Sequence, residues 1–232
     1  MLNLAFTPPK AGLVMALPVG AVAQTRRAIP GDPANVLTIC EADAGREIFM
    51  GEFEDYTSHV QREECKPRYP VGAVCYVGHP YWKNPNGNLW DEFSLKVRAL
   101  SSCGTVVPIL NRCPERPLGK CWHHLAGRYL PAWAATRWAL ILRVWVERLQ
   151  SISEEDAKAE LVERAPAPIP ACHDTRPWRD YEYADPECVY NRPTARESYR
   201  TMVCAVNHRD IWSENPFCFC YEFRICPKGE PK

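Results

Sequence analysis

The clearest hydrophobic pattern lies at the end of the chain. Phe217, Phe219, Tyr221, Phe223 and Ile225 fall on every second position, with Cys218, Cys220, Glu222 and Arg224 between them. A period of two places successive side chains on opposite faces, so this run predicts a strand packed differently on each side. A second strand is predicted over residues 138–149, rich in β-formers through Leu-Ile-Leu-Arg-Val-Trp-Val. A third covers residues 93–100, with Leu95, Val97 and Ala99 on one face and Ser94, Lys96 and Arg98 on the other. Turn chemistry at Pro70-Val71-Gly72 leads into a fourth, residues 73–77, and residues 84–88 (Asn-Pro-Asn-Gly-Asn) read as a turn.

Helical spacing replaces this alternation at two places. Ser153 and Asp156 form a capping box, with Ile152 and Ala157 as a hydrophobic staple and Glu154–Lys158 as an i,i+4 pair. This helix must end before Pro166, and residues 165–171, with three prolines, predict a stiff connection. Thr194, boxed by Glu197, opens the second helix. Its apolar residues Tyr199, Met202, Val203 and Val206 make a core-facing stripe, and Asn207-His208 ends it. A short N-terminal helix is expected over residues 7–17, capped by Thr7 and stopped by Pro18. The order of these elements predicts an α+β or barrel-with-helices layout.

Bulk properties narrow the function classes. The 232 residues suit one domain, 1–232, with a core that needs no disulfides, and 22 prolines and 12 glycines favour short strands over a helical bundle. The formal net charge is zero. That argues against non-specific coating of nucleic acid, but says nothing about where the charges sit. No apolar run approaches a bilayer span, so no membrane partner is expected. The uncharged start Met-Leu-Asn-Leu lacks the basic opening of a signal peptide, which makes the expected location cytoplasmic and the 12 cysteines reduced. No cofactor is expected.

Several separated stretches carry a family resemblance. They are Gly20-Ala21-Val22-Ala23-Gln24-Thr25-Arg26-Arg27, then Tyr69-Pro70-Val71-Gly72 running to Val77, then Leu130-Pro131-Ala132-Trp133 with Arg137. The most specific is Val146-Glu147-Arg148-Leu149-Gln150-Ser151-Ile152-Ser153-Glu154-Glu155-Asp156-Ala157, followed by residues 195–199, Asn207 and Asn215-Pro216-Phe217. Together they resemble the ASCH-domain proteins of tailed phages and prophages. Residues 28–65, 83–129 and 165–190 are poorly matched and read as insertions. The resemblance implies a PUA-like β-barrel flanked by helices, a cytoplasmic location in a bacterial host, and a cleft for RNA or a modified nucleobase or nucleoside. Some small members of the family are amidohydrolases that remove the acetyl group of N4-acetylcytidine with a Lys, a Thr and a Glu. Here the Lys position holds Val22 and the Glu position His79; only Thr25 and Arg27 match. A threonine hydroxyl needs a base to become a nucleophile, and Val22 is not one. The reading is therefore a binding protein rather than an enzyme. A diverged amidohydrolase or nuclease using Thr25 and His79 is one alternative, and a phage accessory protein that binds a host protein is another.

The ligand-binding candidates are Gln24, Thr25, Arg26, Arg27, Tyr76, His79, Tyr81, Trp82 and Arg137. Arginine offers a planar fork of donors suited to phosphates and base edges, and aromatic rings stack on unpaired bases. The blander alternative is a solvated turn and ordinary core packing. Cys103, Cys113, Cys121, His123 and His124 supply soft donors for zinc, but no Cys-x-x-Cys pair is present, so no metal site is expected. Cys172, His173 and Cys188 carry even less signal. Cys218 and Cys220 share one strand face and read as small packed hydrophobes. Glu154, Glu155 and Asp156 open a helix, where carboxylates favour the dipole, and read as structural.

Overall fold

The computed structural model describes residues 2–7, 9–29, 36–42, 48–54, 59–86, 89–91, 96–100, 106–110, 123–165, 176–182 and 191–227. In chain order it begins with β1 (Leu2–Ala5), α1 (Lys10–Ala16), β2 (Val22–Ala28), β3 (Val36–Ala42), β4 (Ile48–Glu54) and β5 (Val60–Cys65). Next come β6 (Val74–Gly78), β7 (Tyr81–Lys83), β8 (Leu89–Asp91), β9 (Lys96–Leu100), β10 (Val106–Leu110) and β11 (His123–Leu125). Two 3-10 turns, η1 (Gly127–Tyr129) and η2 (Ala132–Ala134), lead into the long strand β12 (Trp138–Arg148) and a third turn, η3 (Leu149–Ser151). The chain then forms α2 (Glu154–Ala159), β13 (Trp178–Arg179), β14 (Asn191–Arg192), α3 (Ala195–Asn207), α4 (Ile211–Glu214) and β15 (Phe217–Cys226). The fold class is α+β, and no sheet among the described residues closes on itself.

The chain divides into two compact units. The first comprises Met1–Ala21, Gly72–Ile141 and Arg224–Lys232. In it β1 runs parallel to β6, and the opening of β12 runs antiparallel to β6, pairing Trp138 with Tyr76. Leu4, Cys75, Val77 and Ala139 along these strands are wholly buried. A second sheet, ordered β10-β9-β8-β7-β11, is antiparallel throughout. Tyr76, Tyr81, Leu89, Leu130, Trp138 and Cys226 pack into one core. Burying such side chains stabilises by roughly 25 cal/mol per Å² of apolar surface.

The second unit comprises Val22–Val71 and Leu142–Phe223. Here the remainder of β12, β15 and β2 lie side by side in that order. α2, α3 and α4 share a core built from Leu149, Ile152, Ala157, Tyr199, Met202, Ile211, Cys218 and Cys220. β3, β4 and β5 form a separate antiparallel meander.

Both helix starts follow the capping chemistry expected from the sequence. Ser153 accepts from the Asp156 amide at 3.0 Å, and Thr194 accepts from the Glu197 amide at 3.1 Å. α3 ends at His208 in the left-handed conformation, and Tyr199 and Met202 are buried as the stripe requires. The long strands also match within a residue or two. The N-terminal helix differs: it starts at Lys10, its N-cap is Pro9, and Thr7 makes no cap. Proline lacks an N–H, so it occupies the half-helical position without leaving a donor unsatisfied. Residues 24–27, weighed as a solvated turn, lie within a strand. Within residues 84–88 and 93–100, positions 87–88 and 93–95 lie outside the described residues, as do residues 166–171.

Candidate functional site

In the second unit, β2 sends alternate residues to opposite faces, and Arg26 goes to the side of α2. Its guanidinium is 1% exposed and surrounded by carboxylates. Nε donates to Glu147 Oε1 of β12 at 2.9 Å, and Nη2 bonds the same oxygen. Nη1 donates to Glu160 Oε1, just past α2, at 3.2 Å, and Nη2 lies 3.6 Å from Asp156 Oδ2 of α2. Burial disfavours this charge, but Cys220, Glu160 and Tyr199 nearby and the bond to Glu147 outweigh it and hold Arg26 above its ordinary pKa. One cysteine of β15 touches the cluster: Cys220 Sγ lies 3.5 Å from Glu147 Oε1. Burial, then Glu160, pushes the Cys218 thiol up to about 12, and burial raises Cys220 as well. Both therefore stay neutral thiols near neutral pH and are no nucleophiles.

Arg26 was a ligand-binding candidate; here its donors are spent on Glu147, Asp156 and Glu160. Thr25 is 2% exposed, and Gln24 and Arg27 are half-buried. Arg27 lies within electrostatic reach of Tyr221, whose phenol is pushed up to about 12, chiefly by burial. The Tyr221 ring meets Tyr69 edge-on at 5.2 Å.

The longest motif proves to be a structural hub of the same unit. The Gln150 amide N–H donates to Asn215 Oδ1 at 2.9 Å and its side chain donates to the Trp212 carbonyl at 2.8 Å. Glu154 caps a neighbouring helix, accepting from the Ala195 and Arg196 amides at 2.8 and 3.0 Å. Sequence reading took Glu154, Glu155 and Asp156 as structural, but the use of Glu154 on α3 and of Asp156 near Arg26 has no local signal, because both partners are far away in the chain.

In the first unit, the aromatic candidates separate by exposure. Tyr76, His79 and Tyr81 are buried, His79 wholly so, with Nδ1 3.0 Å from the Pro80 carbonyl. Tyr76 packs edge-on against Trp138 at 6.0 Å. The Tyr81 hydroxyl, raised in pKa by burial and then by Tyr76, donates to the Tyr129 carbonyl at 2.8 Å. Only Trp82 reaches the surface, its ring 5.0 Å from that of His124, which it faces across the β7–β11 ladder. Arg137 is half-buried and its carbonyl accepts from Val77. His123, His124, Arg128 and Tyr129 are exposed along β11 and η1. Arg128 and Tyr129 were not among the sequence candidates; they lie in a stretch without clear periodicity.

Gln24, Thr25, Arg26 and Arg27 thus belong to one unit, and Tyr76, His79, Tyr81, Trp82 and Arg137 to the other. Cys103, Cys113, Cys121, Cys172, His173 and Cys188 lie outside the described residues. Among the described residues no group of three or more His, Cys, Asp or Glu could hold a metal ion, and no helix is long and apolar enough to cross a membrane.

Dividing the chain also divides its charge. The first unit carries twelve Lys and Arg against four Asp and Glu, a net +8. The second carries sixteen against twenty-four, a net −8. The zero net charge is the cancellation of two opposite halves.

No family model matches the chain, and comparison with curated proteins and with solved structures returns no match.

Proposed function

We propose that this chain binds RNA, or a nucleoside with a modified base, through its first unit and without catalysing a reaction on it. The observation that carries the reading is the charge of that unit, net +8 within a neutral chain. Nucleic-acid affinity comes largely from cations that displace counterions from phosphates. The exposed edge of β11 and η1, with His123, His124, Arg128 and Tyr129, adds the cation and ring chemistry that unpaired bases engage. The resemblance to ASCH proteins supports the same ligand class, and a PUA-like identity of the fold is part of this proposal.

The amidohydrolase alternative has less support. Thr25 and His79, its nucleophile and base, are each buried, so neither offers its reactive atom to a substrate at the surface.

The test is fluorescence anisotropy with labelled single-stranded RNA and DNA at low and moderate salt, using wild type and a Lys83→Ala/His124→Ala variant, Lys83 being exposed on β7 opposite His123 of β11. Salt-dependent binding that favours RNA and weakens in the variant is the expected result. Binding that is absent at low salt, or indifferent to salt, refutes the RNA reading.

A further inference from the structure

The turn η1 is held from inside the first unit at three successive carbonyls. Asn3 of β1 donates its side-chain amide to Gly127 O at 3.1 Å and to Arg128 O at 3.2 Å, and Tyr81 of β7 donates its hydroxyl to Tyr129 O at 2.8 Å. Backbone bonds close the turn itself, from Tyr129 N to Ala126 O at 2.9 Å and from Leu130 N to Gly127 O at 3.1 Å. Gly127 also packs so closely on Gly78 that a Cβ on Gly127 would lie 2.8 Å from the Gly78 carbonyl carbon. The backbone beneath Tyr129 is therefore clamped to buried strands.

Yet the Tyr129 side chain is 58% exposed, more than any other large hydrophobic residue among those described. The Arg128 guanidinium lies over its ring, 5.0 Å from the centroid. An exposed ring on a loose loop is unremarkable in energy. A ring on a clamped turn is already ordered, so a ligand that stacks on it loses little further conformational freedom in binding. The cation beside it and the net +8 of the unit select an anionic ligand that carries flat rings.

We infer that Tyr129 is the base-stacking residue of this protein and gives it a preference for unpaired over paired strands, with Arg128 contacting the adjacent phosphate. The inference rests on the nucleic-acid reading above. In a duplex both faces of each base are covered by its neighbours, whereas an unpaired base can offer a face to an aromatic ring.

Binding of labelled single-stranded RNA and of a blunt-ended double-stranded RNA of equal length should be compared for wild type, Tyr129→Ala and Tyr129→Phe. Tyr129→Ala is expected to weaken single-strand binding on the order of tenfold, leave duplex binding unchanged and leave the Tm unchanged, because the ring is exposed. Tyr129→Phe keeps the ring and should bind as wild type. Wild-type affinity for the single strand in Tyr129→Ala, or an equal loss on both RNAs, overturns the inference while the nucleic-acid reading stands. Wild type that binds neither RNA overturns both, and capture of a host protein that Tyr129→Ala then abolishes would assign this turn to a protein interface instead.

Discussion

Arg26 is a single positive charge among three carboxylates, and their burial differs. Glu160 is as buried as the arginine at 1%, whereas Glu147 and Asp156 are 23% and 32% exposed. The two outer carboxylates can be satisfied by water; Glu160 relies on protein partners. Removing one partner of a buried pair costs more than the pair contributes, because the remaining charge is left uncompensated. Arg26→Ala is therefore expected to destabilise the protein by about 3–5 kcal/mol, measured by urea unfolding. A loss below about 1 kcal/mol would show that the cluster is hydrated rather than dry.

The buried thiols and phenols set a pH dependence at the same scale. Cys218, Tyr181 and Tyr221 are all pushed up to about 12, burial being the largest cause in each. Their ordinary values are 9.0 for the thiol and 10.0 for the phenols. Above those values the unfolded chain loses protons that the folded chain keeps, so the folded state is disfavoured as pH rises. The stability these groups contribute is complete below pH 9 and is lost progressively as the pH climbs from there to about 12. Denaturation midpoints collected from pH 7 to 11 should be flat at first and then fall; a rise above pH 9 would contradict the assignment.

Among the elements, η1 and β6 are joined by the least tolerant contact described. Gly127 passes so close to Gly78 that a Cβ on Gly127 would lie 2.8 Å from the Gly78 carbonyl carbon and oxygen and from the His79 nitrogen. The obstruction is backbone, which cannot rotate aside. Gly127→Ala is expected to cost on the order of 1–3 kcal/mol by overpacking and to shift η1, weakening RNA binding even though Arg128 and Tyr129 remain. A crystal structure or a combined melt and anisotropy titration would check this, and unchanged values in both would show that the turn relaxes freely. Helix starts were readable because their chemistry is local: Ser153 with Asp156 and Thr194 with Glu197 are three residues apart. The capping of α3 by Glu154 was not, since that contact spans 41 residues.

Over the whole molecule, opposite charges on the two units make the neutral chain a poor guide to its own behaviour. A protein with pI near 7.0 should ignore ion exchangers at neutral pH. This one is expected to be retained on heparin at pH 7 and low salt through its basic unit, and to elute as salt rises. Passage without retention would mean that the basic residues are neutralised within the fold.

The sequence by itself determined the period of each long strand, both capped helices, the α+β class and the packing role of Cys218 and Cys220. These follow from spacing, capping and side-chain volume, which act over a few residues. The same local view could not rank the site candidates. Arg26, Arg27, Tyr76, Tyr81 and Trp82 have the right chemistry for a ligand, and chemistry is all a sequence displays. Burial decides whether a donor or a ring is available, and burial depends on which distant strands and helices meet. Only the tertiary structure showed that Arg26 is tied to Glu147 and Glu160, that Tyr81 braces the turn carrying Tyr129, and that zero net charge is a +8 unit and a −8 unit. Charge adds along a chain without regard to place, but attraction to a phosphate depends on distance, so its meaning emerges only once the chain is folded.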